Sequence, residues 1–342
     1  MSIRSRLRIR NRLRSAVHYI WPPEPRPLIL MYHRIADEQV DRWQLAVSPA
    51  HFEQHLHVLR RTRHPLPLAE FVRRLMASTL PSNAVAVTFD DGYLDNFVTG
   101  KPLLAAADVP ATVFLATGYL DRPGEIWSDE LAKLVLLGRG PQSLELVVQG
   151  KTMRLELEAK SPARKDGTIR GLPSKKREAA LNTIWEILRN IEDEERRHTM
   201  AELRSKIEVQ NYRASPSRAM TSEEVRALVK DGLVTIGAHT VTHPVLSALE
   251  IGACHREIKE SKLVCEALIG SAVQAFAYPY GRFDPKSRAA VEAAGFAFAC
   301  SIRHGPAFAK SDIFALPRIH VSNMHGDAFE LALRSASAAR LS

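Results

Sequence analysis

Cysteine is scarce in this 342-residue chain: Cys254, Cys265 and Cys300 are the whole supply, and no Cys-x-x-Cys pair occurs. That excludes a disulfide framework and leaves three small apolar residues suited to a buried, reducing setting. Long apolar runs are also missing. No stretch reaches the roughly 20 residues of a membrane span. The basic start, MSIRSRLRIRNRLRSAVHYIW, lacks the apolar core of about seven residues that a signal peptide needs. No internal repeat occurs, and low complexity is confined to the two ends. The net positive charge is not spread evenly over the chain. The net charge is +9, but Arg4, Arg6, Arg8, Arg10, Arg12 and Arg14 supply six of those charges. The remainder, at +3, is too balanced to suggest a nucleic-acid-binding surface.

Residues 1–27 form a segment apart. On a helical wheel Ile3, Leu7, Leu13, Val17, Ile20 and Trp21 share one half, with Arg4, Arg8 and Arg12 opposite; Arg6, Arg10 and Arg14 interrupt the apolar half. Such a segment reads either as a basic helix touching an anionic membrane surface or acidic partner, or as a solvated tail. The proline-rich run from Trp21 to Pro27 is a stiff spacer.

The stretch Val85–Tyr93 organises the rest. Its small and β-branched residues suit a strand buried on both faces, and it ends in Asp90-Asp91-Gly92. Adjacent carboxylates repel when both are ionised. A cation resolves the conflict if one carboxylate binds it and the other stays free as a base. A second strand, Leu233–Ile236, leads into His239 and His243. Their spacing of four predicts two imidazoles on one face of a helical turn. One Asp and two His make a three-ligand set with open positions for water. A third stretch, Phe276–Asp284, reads FAYPYGRFD.

TFDDGY, HTVTH and FAYPYGRFD, in that order, resemble the polysaccharide deacetylases, the NodB-homology or carbohydrate esterase family 4 enzymes. The resemblance runs from about Pro27 to Leu333 with a long insertion. It implies an α/β fold, an irregular (β/α)7-type barrel, in agreement with the alternation of short apolar strands and amphipathic helices. The expected divisions are residues 1–27, a first barrel part at 28–126, an inserted α+β subdomain at 127–217, and a second barrel part with a closing helix at 218–342. Within the insertion the pattern predicts a helix at Glu130–Leu137, a hairpin around Gly150-Lys151 and one charged helix over Arg177–Lys206.

The resemblance also implies roles. Asp91, His239 and His243 would hold a divalent ion, with zinc (Zn2+) expected, and Asp90 would act as base. The N–H of Tyr280, aimed by Pro279, would meet the oxyanion. Tyr93 and Tyr278 would contact substrate, and Trp127 and Asp129 could face a sugar from the barrel rim. Two departures from the family pattern stand out. Ala277 occupies the position of an Arg that usually steadies the base, which makes Arg318 the substitute candidate. No late Leu-x-x-His occurs, so His33 on the first strand is the candidate acid, with His320 and His325 as alternatives. The implied reaction is removal of N-acetyl groups from a glycan, a glycolipid precursor or a chitin-like oligomer, in surface polysaccharide metabolism. The expected location is cytoplasmic, with peripheral contact at the inner membrane face. Two other readings remain: a metal-free cyclic amide or ureide hydrolase, and an inactive carbohydrate-binding protein.

Overall fold

The computed structural model describes residues 26–38, 41–157, 173–209 and 217–338. The membrane contact expected of residues 1–21 lies outside the described residues. Among the described residues no helix is long and apolar enough to cross a membrane.

The elements run in the following order. β1 (Leu28–Tyr32) leads to the short pair β2 (Arg34–Ile35) and β3 (Ala46–Val47), then α1 (Pro49–Thr62), β4 (His64–Pro65) and α2 (Leu68–Met76). β5 (Ala84–Phe89), α3 (Lys101–Ala107) and β6 (Ala111–Leu115) follow. The insertion carries α4 (Trp127–Leu137), β7 (Ser143–Val148), β8 (Lys151–Glu156), α5 (Lys175–Leu188) and α6 (Asp193–Lys206). The barrel then resumes with α7 (Ser222–Val229), β9 (Val234–Ala238), α8 (Ile251–Ile269), β10 (Ala275–Ala277), α9 (Pro285–Ala293), β11 (Phe298–Cys300), β12 (Ile319–His320) and α10 (Gly326–Ala338).

Seven strands form one parallel sheet in the order β11-β10-β9-β6-β5-β1-β12, with β4 added beside β5. One short segment brings the two edges together. Leu316 bridges Cys300 of β11, and Ile319 and His320 just beyond it pair with β1. The result is an irregular barrel.

Two cores follow from the period-2 alternation of the strands. Val85, Val87 and Phe89 of β5 pack with Phe52, Leu56 and Leu59 of α1 in the layer between sheet and helices. Ala84 and Ala86 face the other way, into the curl, with Phe114, Ala275, Ala277 and Leu316, and Phe71 of α2 packs in the same cluster. Continuing the alternation past Thr88 points Asp90 into the barrel mouth. Parallel strands gather their C-terminal ends at that mouth.

The insertion packs around a third core that contains Leu131, Val135, Leu144, Leu181, Ile184 and Leu203. Where one helix is expected over Arg177–Lys206, two are found, with a break at residues 189–192. The apolar stripe is continuous, but the polar residues mark two ends. Arg189 caps the end of α5, and Asp193, Glu194 and Glu195 fill the first turn of α6, as the helix dipole favours.

Candidate active site

Asp90 is buried at the barrel mouth. Its backbone N–H donates to Tyr32 O at 3.0 Å, which ties the end of β5 to the end of β1. Arg318 reaches it from the closing segment. Nη1 and Nη2 donate to Oδ1 and Oδ2, both at 2.7 Å. Further bonds from Arg318 Nε to Ser301 O (3.0 Å) and from Nη1 to Thr88 Oγ1 (3.2 Å) fix the guanidinium plane. Burial alone would raise the Asp90 pKa, but the charge of Arg318, followed by His239, holds the carboxyl well below the usual range. Asp90 is therefore ionised at neutral pH. The sequence holds Ala277 where the family's Arg is expected, and Arg318 reaches the Asp90 carboxylate from the closing segment just before β12.

Asp91 and Gly92 turn the chain with φ of 73° and 77°. A Cβ at Gly92 would lie 2.7 Å from Leu115 Cδ2, so both conformation and space favour glycine there. The turn directs Asp91 to the histidines. Asp91 Oδ1 lies 3.5 Å from His239 Nε2 and 3.3 Å from His243 Nε2, and the two Nε2 atoms are 3.2 Å apart. The spacing of four does not arise from a helical turn. Residues 239–245 form no helix, and Thr240 and His243 adopt left-handed backbones with φ of 66° and 57°. A folded loop, closed by the bond from His243 N to Thr240 Oγ1 at 3.0 Å, brings the imidazoles together.

This donor set fits a divalent cation. Ala277 O, which can only accept, lies 2.7 Å from His239 Nδ1. That bond puts the proton on Nδ1 and leaves the Nε2 lone pair for a ligand. Burial lowers the pKa of His239 and, with the neighbouring His239, that of His243, so both imidazoles are neutral. Burial and the charge of Asp90 push Asp91 up, and its Oδ1 is buried with no hydrogen-bond partner. A cation satisfies that oxygen and both lone pairs together. Among the described residues this is the one group of three or more His, Cys, Asp or Glu placed to hold a metal.

His33 stands at the end of β1. Its Nδ1 is buried without a partner, and its ring centroid is 5.9 Å from that of His320. Burial pushes its pKa down to about 3, against an opposing pull from Asp90, so the resting imidazole is neutral. His325 does not reach the mouth; it immediately precedes α10, beside Gln54 and His57 of α1. Tyr280, at φ 56°, sets its ring edge-on to His243 at 4.6 Å.

Three expected substrate contacts are not on an open surface. Tyr278 is fully buried, because the alternation of β10 turns it toward Phe276 and Phe283 in the helical layer. Tyr93 and Trp127 lie in the core of the insertion. The Tyr93 hydroxyl donates to Asp129 Oδ2 at 2.9 Å, and burial pushes Asp129 up to about 6. Tyr93, Tyr278 and Trp127 thus pack into the protein in this structure.

Local sequence pattern does not single out several side chains that close the site. Trp43 stacks on Trp185 of α5 at 4.6 Å, and Trp185 meets Tyr280 edge-on at 5.7 Å. Arg196 of α6 donates to Thr242 O at 2.7 Å, although a charged helix residue reads as solvent-facing. A cavity of about 340 Å3 lies beside them, walled by Tyr119, Arg122, Trp127, Arg196 and Arg197. Its walls include neither Asp90 nor the three candidate ligands.

Comparison with known proteins bears on the family and the fold. The polysaccharide deacetylase family model matches residues 77–145 and 175–299. YxkH of Bacillus subtilis, named for the same family, is 26% identical over 117 residues, covering 34% of this chain and 42% of that protein. The chain thus aligns with less than half of that relative's length. Among solved structures, the Streptococcus pyogenes deacetylase PplD, determined with acetate, superposes with a TM-score of 0.57 at 18% identity. That match covers 92% of this chain and 99% of PplD. IcaB from Ammonifex degensii gives 0.55 at 18% identity, covering 92% and 97%. At such identities these structures establish the shared fold alone.

Proposed function

The chain belongs to the polysaccharide deacetylase family, a family of amide hydrolases, and from that premise we propose that it removes N-acetyl groups from an acetylated glycan or glycolipid precursor, using a divalent ion. Zinc is the metal we assign, since two imidazoles and one carboxylate suit it. The observation that carries the reading is the pairing of two opposite environments on neighbouring residues. Asp90 is locked to Arg318, while Asp91 Oδ1 is left without a partner beside two neutral imidazoles.

Asp91, His239 and His243 would hold the ion. When bound, it supplies Lewis-acid chemistry, polarising the amide carbonyl and acidifying water. The protein residues do the rest. Asp90 accepts the proton of the attacking water. A carboxylate held so far below its usual range is a weak base, and it serves only where the water is made acidic. The backbone N–H of Tyr280 would meet the developing oxyanion. His33, beside Asp90 at the mouth and neutral at rest, takes up the proton that Asp90 accepted from the water and passes it to the departing amine, returning to the neutral form. Acetate release from N-acetylglucosamine oligomers tests the reading. The zinc-loaded protein should release acetate, stop when chelated and resume when zinc returns. Release by the loaded protein that a chelator leaves unchanged would refute it.

Arg318 has a distinct expected phenotype. Arg318→Met leaves Asp90 buried without its partner, a loss of about 3–5 kcal/mol. It also removes the charge that depresses the Asp90 pKa, so burial raises it and the base stays protonated to higher pH. The acidic limb of the pH–rate profile should therefore move upward, and thermal unfolding should occur at lower temperature. An unmoved limb in a folded variant would show that Arg318 does not tune the base.

His33→Ala should bind zinc normally and turn over slowly. The loss should shrink with an aryl acetate ester, whose leaving group needs no protonation. If His320→Ala shows that pattern and His33→Ala does not, the acid lies on β12.

A further inference from the structure

His243 is carried by a loop without helical or strand support and with two left-handed non-glycine residues. Such conformations are unfavourable for side chains with a Cβ and persist only where the surroundings enforce them. Here the surroundings do. Thr117 N and Gly118 N donate to Thr240 O (3.0 Å) and Val241 O (2.7 Å). A Cβ at Gly118 would lie 2.6 Å from Val241 O, so the two backbones could not meet there without glycine.

Two charged side chains complete the hold. Glu257 of α8 accepts at Oε2 from the N–H groups of Val241 (2.8 Å) and Thr242 (2.9 Å), and at Oε1 from the Thr242 hydroxyl (2.7 Å). The Thr242 carbonyl accepts from Arg196 Nη2 at 2.7 Å and from the Tyr119 hydroxyl at 3.3 Å. Arg196 belongs to the insertion and is only 1% exposed. Asp193 holds it through the same Nη2 at 2.7 Å, and Trp127 lies under it at 5.1 Å. Charge-assisted bonds of this kind are roughly twice as strong as neutral ones.

We propose that Glu257 and Arg196 are positioning residues for His243: an anion and a cation from separate parts of the chain clamp Thr242 by its N–H and its carbonyl, and so hold His243 Nε2 against Asp91 Oδ1 and His239 Nε2. This rests on the metal reading above and adds that the insertion, through α6, is a working part of the metal centre. A clamp that only stabilised the fold would make the same bonds, so the deciding quantity is metal affinity at constant folded fraction. Partners that orient metal ligands typically change affinity by about 10–100-fold when removed.

Zinc affinity of the full-length protein is measured by competition with a chromophoric chelator, and metal-free stability is measured separately by thermal unfolding. Glu257→Ala and Arg196→Met should weaken zinc by about 10–100-fold. Glu257→Gln and Arg196→Lys, which keep an acceptor oxygen and a cationic donor, should recover most of it. Should Arg196→Met fail to fold, the half-buried Glu257 pair still decides the matter. In cobalt-substituted Glu257→Ala the visible absorption of the metal should shift from the wild type. Wild-type zinc affinity and an unchanged cobalt spectrum in folded Glu257→Ala would overturn the proposal while leaving the metal reading intact. An affinity loss matched in full by lost metal-free stability would overturn it too. A wild type that binds no zinc would refute the metal reading itself, and the clamp with it.

Discussion

Asp90→Asn is expected to cut kcat by about 10²–10⁴-fold, the usual scale for losing a general base, with zinc still bound. The amide is nearly isosteric but cannot take up a proton from water. Asp90 contributes no atom to the Asp91–His239–His243 group, so metal content should be unchanged. Arg318 is buried and loses its anionic partner in this variant, so a fall in stability is also expected, and circular dichroism and thermal unfolding serve as controls. A folded, zinc-loaded Asp90→Asn protein with wild-type kcat would show that the carboxylate is structural.

His239→Ala is expected to have the second large effect, and through a different quantity. It deletes the proposed ligand whose tautomer is fixed by Ala277 O. The remaining Asp91 and His243 cannot complete a three-ligand site. Bound zinc, measured by elemental analysis after dialysis, should fall to a small fraction. Activity should fall with it, by on the order of 10³-fold given the several kcal/mol a Lewis acid contributes. The two variants then separate: one keeps metal and loses rate, the other loses both. A His239→Ala protein with one zinc per chain would refute the ligand assignment.

The strands and their direction are legible in the sequence because they are short, apolar and evenly interrupted. β1 is an unbroken buried apolar run, Leu28–Tyr32, and α2 buries Leu68, Phe71, Val72 and Leu75 along one face. The start of α7 reads directly from Thr221 and Glu224, which make the reciprocal capping bonds. Pairings distant in sequence are another matter. No local pattern joins Arg318 to Asp90, 228 residues earlier; barrel closure does so. The His239–His243 spacing suggests a helical turn because four residues match its period, yet a loop held by Glu257 and Arg196 gives the same proximity. Side-chain facing fails where a motif is read without its strand. The alternation that points Asp90 inward turns Tyr278 outward, and Tyr93 serves the core of the insertion. The break between α5 and α6 escapes a reading of apolar periodicity, although the acidic run from Glu192 to Glu195 marks it.

The most direct test of the metal centre is anomalous diffraction at the zinc edge from crystals of the zinc-loaded protein. The account predicts one strong peak in the barrel mouth, at about 2.0–2.1 Å from His239 Nε2 and His243 Nε2 and about 2.0–2.2 Å from an Asp91 carboxylate oxygen, with Asp90 still on Arg318. A peak that takes Asp90 as a ligand, or no peak at these three residues, would contradict it.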